Sequence, residues 1–332
     1  GWDGVAGRVP RGRTADGLDL APVKLSRTDV EGFYEGFCNS TLWPLFHDAI
    51  QTPAFHRPWW RRSREVNARF ATTVALHASR RATVWVHDYH LTLLPAMLRE
   101  ARPDLRIGYF LHTPFPPEEI FAWLPWRAAI LRGLLGADGC GVQTEPTSQN
   151  FSRCARRYTA AEDTDRELRL ADHRTLVRAN PIAIDALAFE RLGQSEPVKR
   201  RAAEIRERLG NRRIFLGVDR LDYTKGIPNR LRAFEELLRE GKLSADNAVL
   251  VQIGVPSRET APGYREVSRE IEEMVGRING HSSEPGSVAV HYFRRSLSQA
   301  ELAAWYLAAD VMLVTPLRDG MNLVAKEYVA TR

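Results

Sequence analysis

The second half of the chain alternates short apolar runs with amphipathic segments, and this alternation restricts the fold more than any other feature. Apolar runs at 213–218, 249–253 and 288–292 have the length and composition of buried strands. The segments between them, at 227–240 and 264–278, have the spacing of amphipathic helices. Strands that alternate with helices form parallel sheets covered by helices, so we predict an α/β protein.

The same rhythm occurs in the first half and at the end of the chain. We predict further strands at 83–86, 106–111, 138–142 and 311–314, helices at 91–101 and 299–308, and a last helix that begins near Met321. The polar run Gly193–Pro197 separates the two groups of elements, and 332 residues exceed what one ordinary core needs. We therefore predict two domains, residues 1–195 and 196–332, that face each other across a cleft.

Composition and charge exclude several classes of protein. Apolar residues make up 44% and charged residues 27%, the balance of a soluble globular protein, and no apolar run is long enough to span a membrane. The net charge is +6, but the arginines are interleaved with acids and form no basic tail, so we expect no nucleic-acid partner. Three cysteines without metal-ligand spacing predict a reducing compartment, the cytoplasm. Whether the chain forms a homo-oligomer stays open.

Charged side chains follow the first predicted strand of the second half. Arg220 and Lys225 lie in one loop, and Gly226 opens the next helix. Two cations beside a helix N-terminus form a good binding site for a diphosphate. The alternative is an ordinary solvated loop in which Lys225 forms a salt bridge with Asp219 or Asp222.

The last predicted loop and helix have a related pattern. Asp319 and Gly320 precede a helix whose first N–H groups can bind an anion. Leu323 and Glu327 are four residues apart and therefore share one helix face. A nucleoside diphosphate at this N-terminus would bring its ribose near Glu327, whose carboxylate can accept hydrogen bonds from two hydroxyls. The alternative is a surface ion pair between Glu327 and a lysine or arginine.

Polar and aromatic side chains also stand out in the first half. Asp88 and His112 follow neighbouring predicted strands, although an isolated histidine is more often structural. His87 and His90 are three residues apart without a third ligand, so we predict no metal site. The aromatic stretch 33–47 is explained by core packing on composition alone, but aromatic faces beside polar groups also suit sugar rings.

Together, these loops resemble the trehalose-6-phosphate synthase family of retaining glycosyltransferases. The matching segments occur in order over almost the whole chain: Tyr34–Phe37, Leu42–Leu45, His87–Leu91, Phe110–Pro116, Gly217–Gly226, Val255–Arg258, Gly276–Gly280 and Thr315–Tyr328. The resemblance implies the GT-B fold, with two Rossmann-like domains and an active site in the cleft. It implies transfer of glucose from UDP-glucose, or another nucleoside-diphosphate glucose, to glucose 6-phosphate, giving trehalose 6-phosphate with retention of configuration.

The resemblance also implies roles for individual residues. The catalytic residues it implies are Arg220, Lys225, Asp319 and His112. The residues it implies for the glucose 6-phosphate site are Tyr34, Trp43, Asp88 and Arg258. For the nucleotide-sugar site it implies Arg220, Lys225 and Asp319 again, together with Leu297, Leu323, Val324, Ala325, Lys326 and Glu327. It implies no cofactor and no metal, because Arg220 and Lys225 supply the positive charge at the leaving diphosphate.

The chain departs from the family pattern at several positions. Arg178–Asp185 replaces a Gly-Ala-Phe-Pro-Ile-Ser-Ile-Asp segment, Thr113 stands where many members have Ile, and Glu145 where many have Pro. The family's opening strand, Gly-rich loop and closing helix do not occur in the sequence. We therefore expect an internal fragment, with the first domain incomplete and the second truncated, that is inactive by itself.

Other functions stay open at this point. One is a related transferase with another phosphorylated acceptor, such as glycerol 3-phosphate in an enzyme of the glucosylglycerol-phosphate synthase type. Another is a family member that binds sugar phosphate without catalysis, and a third is a GT-B epimerase or hydrolase of nucleotide sugars. Intact Arg220, Lys225, Asp319 and Glu327 argue against the second, and Arg258 argues against the third.

Overall fold

The computed structural model describes residues 12–13, 17, 19–164, 167–257, 262–284 and 286–332. The chain divides into two compact units, Gly1–Ile182 and Ala183–Arg332. Each unit contains a helix-flanked sheet, so the predicted α/β class is confirmed.

In the first unit, a helical region precedes a mixed sheet. Its elements are β1 (Gly12–Arg13), β2 (Asp19–Leu20), α1 (Arg27–Asp29), a π-helix (Val30–Leu42), α2 (Trp43–Phe46), α3 (Arg57–His77), β3 (Thr83–His87), a 3-10 turn (Tyr89–Leu91), α4 (Leu94–Ala101), β4 (Arg106–Phe110), α5 (Glu118–Phe121), α6 (Arg127–Leu134), β5 (Gly139–Val142), α7 (Glu145–Tyr158), β6 (Glu162–Thr164), β7 (Glu167–Leu170) and β8 (His173–Ala179). The sheet order is β3-β4-β5-β8-β7-β6. The first four of these strands are parallel, and β7 and β6 extend the sheet in antiparallel fashion.

The second unit follows the predicted alternation closely. Its elements are α8 (Ala186–Gln194), α9 (Glu196–Arg208), β9 (Arg213–Arg220), a 3-10 turn (Tyr223–Lys225), α10 (Ile227–Arg239), β10 (Ala248–Val255), α11 (Pro262–Ser282), β11 (Val290–Arg294), α12 (Gln299–Ala308), β12 (Val311–Met312) and α13 (Leu323–Thr331). Residue 195, the predicted domain boundary, lies between α8 and α9. Within the described ranges, no helix is long and apolar enough to cross a membrane.

The sheet of the second unit determines where its loops meet. Its four strands are parallel and have the order β11-β10-β9-β12. From β9 the chain first proceeds outward to β10 and β11, and then crosses to β12 on the other side of β9. In such sheets, ligands bind beyond the carboxyl ends of the strands where this reversal occurs. The loops that follow β9 and β12 lie at that point.

The core of this unit explains why the strands were predictable. In β9, Ile214, Leu216 and Val218 alternate along the strand, and in β10 the residues Val249, Val251 and Ile253 do the same. All six are buried in one cluster with apolar residues of α8, α9 and α12. Alternate residues of a strand face the same side of a sheet, so these six residues form one face of the sheet, and α8, α9 and α12 pack against that face.

Candidate active site

The loop after β9 has a rigid structure. Asp222 starts its 3-10 turn, and its Oδ1 accepts hydrogen bonds from the N–H and the hydroxyl of Thr224 at 3.0 and 2.9 Å. Gly226, which follows the turn, has a φ of 61°, and a Cβ atom there would lie 2.3 Å from the carbonyl oxygen of Thr315. Glycine therefore allows this loop to pack directly against the loop after β12.

Lys225, in the same turn, is held by an acid from that second loop. Its Nζ donates to Oδ2 of Asp319 at 2.6 Å, and the two side chains are only 12% and 18% exposed. The partner is thus neither Asp219 nor Asp222, the acids of the solvated-loop interpretation. The ion pair brings together two residues that the sequence placed at one candidate site.

A backbone contact joins the same two loops. The N–H of Leu317 donates to the carbonyl oxygen of Thr224 at 2.8 Å. Arg220, the last residue of β9, is exposed at the end of its strand. The structure therefore places Arg220, Lys225 and Asp319 on adjoining loops at the carboxyl ends of β9 and β12.

A buried arginine that the sequence analysis did not identify supports this arrangement. Arg230 of α10 donates to Asp219 and to Gln252, both at 2.7 Å, and to the hydroxyl of Thr315 at 3.2 Å. Burial raises the pKa of Asp219, and Arg230 opposes this effect. A Cβ atom on Gly217 would lie 2.2 Å from Nη1 of Arg230, so glycine leaves room for the guanidinium. One side chain therefore connects β9, β10 and the loop after β12.

Helix α13 begins two residues after the predicted start. Asn322 is its N-cap, and the side-chain oxygen accepts from the N–H of Ala325 at 2.9 Å. Oδ2 of Asp319 also lies 3.5 Å from Nδ2 of Asn322. The first N–H groups of a helix have no partner within it, so this N-terminus can bind an anion. Its first residues, Leu323, Val324, Ala325, Lys326 and Glu327, are all partly buried.

Glu327 has a hydroxyl as its partner rather than a surface cation. Its Oε2 accepts from the hydroxyl of Tyr306 on α12 at 2.9 Å. Tyr306 is fully buried. Burial, and next the charge of Glu327, raises the pKa of Tyr306, so the hydroxyl stays protonated and donates. The carboxylate of Glu327 is therefore oriented by a fixed neighbour.

In the first unit, Asp88 and His112 meet at the carboxyl ends of β3 and β4. The N–H of His112 donates to Oδ1 of Asp88 at 3.2 Å, and the N–H of Asp88 donates to the carbonyl oxygen of Phe110 at 2.8 Å. Asp88 has φ 69° and ψ 171°. Residues other than glycine rarely adopt this conformation, which costs about 1–3 kcal/mol and is concentrated at functional sites. No sequence pattern indicated this strain.

Two aromatic candidates of the first unit differ in exposure. The Tyr34 ring, on the π-helix, is partly buried and stacks on His90 with centroids 5.7 Å apart. Trp43 is 5% exposed and packs on His47 and Tyr89 at 4.2 and 5.5 Å. Core packing thus accounts for the indole of Trp43, which is the interpretation that composition favoured. Tyr34, in contrast, is only partly buried.

Two predicted site residues remain, Leu297 and Arg258. Leu297 lies between β11 and α12 and packs against the core of the second unit. Arg258 is outside the described residues. Over the part of the chain that the structure describes, no group of three or more His, Cys, Asp or Glu side chains could hold a metal ion.

Comparison with known proteins identifies relatives of both units. The family model described as glycosyltransferase family 20 matches residues 9–332. The trehalose-6-phosphate synthase of Mycobacterium avium (strain 104) is 54% identical over 328 residues, which are 96% of this chain and 66% of the relative. The chain thus spans slightly less than two thirds of that relative's length.

Solved structures are similar over nearly the whole chain. A trehalose-6-phosphate synthase studied with bisubstrate glycomimetics, to examine glycosyl transfer with retention, has 33% identity and a TM-score of 0.92. The match covers 100% of this chain and 74% of that one. An α,α-trehalose-phosphate synthase (UDP-forming) from Burkholderia xenovorans, in complex with glucose-6-phosphate, has 33% identity and a TM-score of 0.88. This match covers 93% of this chain and 69% of that one. These matches confirm the GT-B fold, and the chain belongs to glycosyltransferase family 20.

Proposed function

We propose that the protein transfers glucose from UDP-glucose to glucose 6-phosphate with retention of configuration, giving trehalose 6-phosphate and UDP. The observation that carries this proposal is the 2.6 Å contact between Lys225 and Asp319, at the strand ends where a parallel sheet binds nucleotides. Relatives with this activity in their names support it.

The cations of the β9 loop stabilise the leaving group. As the bond between the sugar and the diphosphate breaks, negative charge grows on the diphosphate, which Arg220 and Lys225 neutralise. An ammonium group has three donors, so Lys225 can keep its bond to Asp319 and still donate to a phosphate oxygen. The second carboxylate oxygen of Asp319 then accepts from a hydroxyl of the transferred glucose.

The nucleotide lies along α13. The N–H groups of Leu323 and Val324 face the diphosphate at the helix N-terminus, and Glu327 accepts from the ribose hydroxyls one turn further on. Tyr306 keeps the Glu327 carboxylate in place through its 2.9 Å hydrogen bond. We assign the uracil to the backbone of Leu297.

We assign the sugar ring of the acceptor to residues of the first unit and its phosphate to a residue of the second. Tyr34 offers a partly buried aromatic ring and Asp88 a carboxylate, which is the chemistry that holds a sugar ring, and the buried indole of Trp43 supports this site from the core. Arg258 pairs with the phosphate of glucose 6-phosphate. We assign to His112 a contact with the transferred glucose.

The configuration at C1 of the donor glucose is retained because the acceptor attacks C1 on the face that the leaving diphosphate vacates. A bond forms between C1 of the donor glucose and the anomeric oxygen of the acceptor, and the bond between C1 and the diphosphate oxygen breaks. The acceptor's hydroxyl proton passes to the departing phosphate oxygen. The protein contributes position and charge rather than a general base.

A nucleotide-release assay on the full-length protein tests the proposal, because we expect the 332-residue chain to be inactive by itself. UDP-, GDP- and ADP-glucose are each combined with glucose 6-phosphate, glycerol 3-phosphate or no acceptor, and the released nucleoside diphosphate is measured. We expect release with UDP-glucose that depends on glucose 6-phosphate. Faster release with glycerol 3-phosphate would favour the glucosylglycerol-phosphate type, and binding of glucose 6-phosphate without release would favour a non-catalytic role. We place the enzyme in the cytoplasm, where the buried thiols of Cys38, Cys140 and Cys154 stay reduced.

A further inference from the structure

His87, the last residue of β3, has a ring that none of the proposed roles uses. Its Nδ1 lies 3.0 Å from Nε2 of His112, which follows the neighbouring strand β4. The two rings are nearly parallel, with centroids 5.3 Å apart and planes inclined by 25°. A hydrogen bond therefore joins His87 to a residue of the candidate active site.

This hydrogen bond couples the proton positions on the two rings. Burial, and next the neighbouring His112, lowers the pKa of His87, and Asp88 only partly offsets this, so His87 is neutral near pH 7. A neutral imidazole has one N–H and one lone pair. In this hydrogen bond one of the two nitrogens must donate and the other must accept, so the tautomer of one ring is tied to that of the other.

Three contacts together define the position of His112. Its backbone N–H donates to Asp88, its ring lies edge-on to Phe110 at 4.8 Å, and its Nε2 bonds to His87. The ring of His87 is itself packed against Trp85 at 4.5 Å. With Nε2 engaged, Nδ1 is the ring nitrogen of His112 that remains for a ligand.

We propose that His87 is a positioning residue: it fixes the rotation and tautomer of His112, so that Nδ1 of His112 contacts the glucose being transferred. The proposal rests on the role of His112 given under the proposed function. The strained backbone of Asp88 serves the same end, because it turns the chain directly after His87 and places its carboxylate under the N–H of His112.

Two substitutions separate the hydrogen bond from the bulk of the side chain. In His87→Asn, an amide atom occupies roughly the place of Nδ1 and keeps a polar partner for His112. In His87→Leu, the volume remains but the partner is lost. His87→Gln, whose amide reaches the place of Nε2 instead, replaces the leucine variant if that variant does not fold.

The first measurement needs no substrate. Proteins labelled with ¹⁵N-histidine are compared by NMR, with the His112 signals assigned from a His112→Gln sample. We expect ring shifts of a single tautomer in the wild type and in His87→Asn, and averaged shifts of two tautomers in His87→Leu. Identical His112 shifts in all three proteins would overturn the proposal.

The second measurement is steady-state kinetics. We expect His87→Leu to lower kcat/KM for UDP-glucose about 10-fold while the KM for glucose 6-phosphate changes less than about 2-fold, and His87→Asn to recover most of the loss. Equal rates in the two variants, or a loss confined to glucose 6-phosphate, would contradict the positioning role. The kinetics use the full-length protein. If its wild type shows no turnover, the proposed function fails, and the NMR comparison alone decides the role of His87.

Discussion

The ammonium nitrogen of Lys225 lies 2.6 Å from Oδ2 of Asp319, a residue 94 positions later in the chain. The contact joins the loops after β9 and β12, which flank the point where the strand order reverses. Both side chains are mostly buried, and Gly226 and Arg230 fix the loops around them. The cation proposed for the leaving diphosphate is therefore in place before a donor binds.

Removal of the Lys225 ammonium should affect turnover rather than acceptor binding. We expect Lys225→Ala to lower kcat by roughly 100-fold or more, equivalent to about 3 kcal/mol, because the lost charge acts on the transition state. The KM for glucose 6-phosphate should change little. The control is Lys199→Ala, which removes an exposed lysine of α9 paired with Glu196. UDP release by the Lys225 variant at the wild-type rate would exclude the assigned role.

Gly226 should be less tolerant of a side chain than another glycine with the same backbone conformation. Gly226 and Gly241 have φ of 61° and 69°, but only at Gly226 would a Cβ atom meet backbone, the carbonyl of Thr315. We expect Gly241→Ala to cost about 1 kcal/mol and Gly226→Ala at least about 1 kcal/mol more, with reduced turnover. Urea unfolding of both variants measures the difference, and equal losses would show that the two loops do not need this close approach.

The Glu327–Tyr306 pair should act on the donor alone. We expect Glu327→Gln to raise the KM for UDP-glucose about 10-fold, since hydrogen bonds to a charged carboxylate are worth about 1.5–3 kcal/mol. Tyr306→Phe, which removes only the orienting hydroxyl, should have a smaller effect in the same direction. Initial rates at varied UDP-glucose and fixed glucose 6-phosphate give both values. An increase in the KM for glucose 6-phosphate instead would place Glu327 on the acceptor side.

Asp29 should make stability depend on pH. Burial alone would raise its pKa, but hydrogen bonds from Ser26 and the guanidinium of Arg69, 2.7 Å away, lower it below the ordinary value. A lowered native pKa contributes stability above the unfolded value of about 3.9, and this contribution is lost as the pH falls through the native pKa. We expect Asp29→Asn to cost roughly 1–3 kcal/mol at pH 7 and less at pH 3, which lies below the unfolded pKa.

The thermal midpoints of Asp29→Asn and wild type, measured at both pH values, check this prediction. Asp172→Asn is the matched control, because Asp172 is exposed in the turn before β8. A destabilisation by Asp29→Asn that is the same at pH 3 and pH 7 would show that the charge of Asp29 does not contribute.

The strands of the second unit were predictable because their burial leaves a continuous apolar run. The predicted strand at 249–253 lies inside β10, whose residues are buried on both faces from Ala248 to Gly254. The strands β6 and β7 were missed because they are short and carry mostly polar residues, such as the exposed Glu162 and Asp163. β7 pairs with β8, and β6 pairs with β7, and no local sequence pattern indicates these pairings.

The site was predictable in its residues but not in its contacts. Charged loops after strands indicated Lys225 and Asp319, yet only the sheet order brings them together. Arg230 carried a signal that was not used: it lies on the same face of α10 as the buried Ile227 and Phe234, where an arginine must have an internal partner. The strained backbone of Asp88 could not be predicted, because no residue pattern around Asp88 indicates its conformation.

Analysis of the product tests the central claim most directly. The full-length protein is incubated with UDP-glucose labelled with ¹³C at C1 and with glucose 6-phosphate, and the disaccharide is examined by NMR. The account predicts one product, a 1,1-linked disaccharide phosphate in which the labelled carbon keeps the α configuration, formed in equal amount with UDP. A β-configured labelled carbon, or release of UDP and free glucose without a disaccharide, would contradict it.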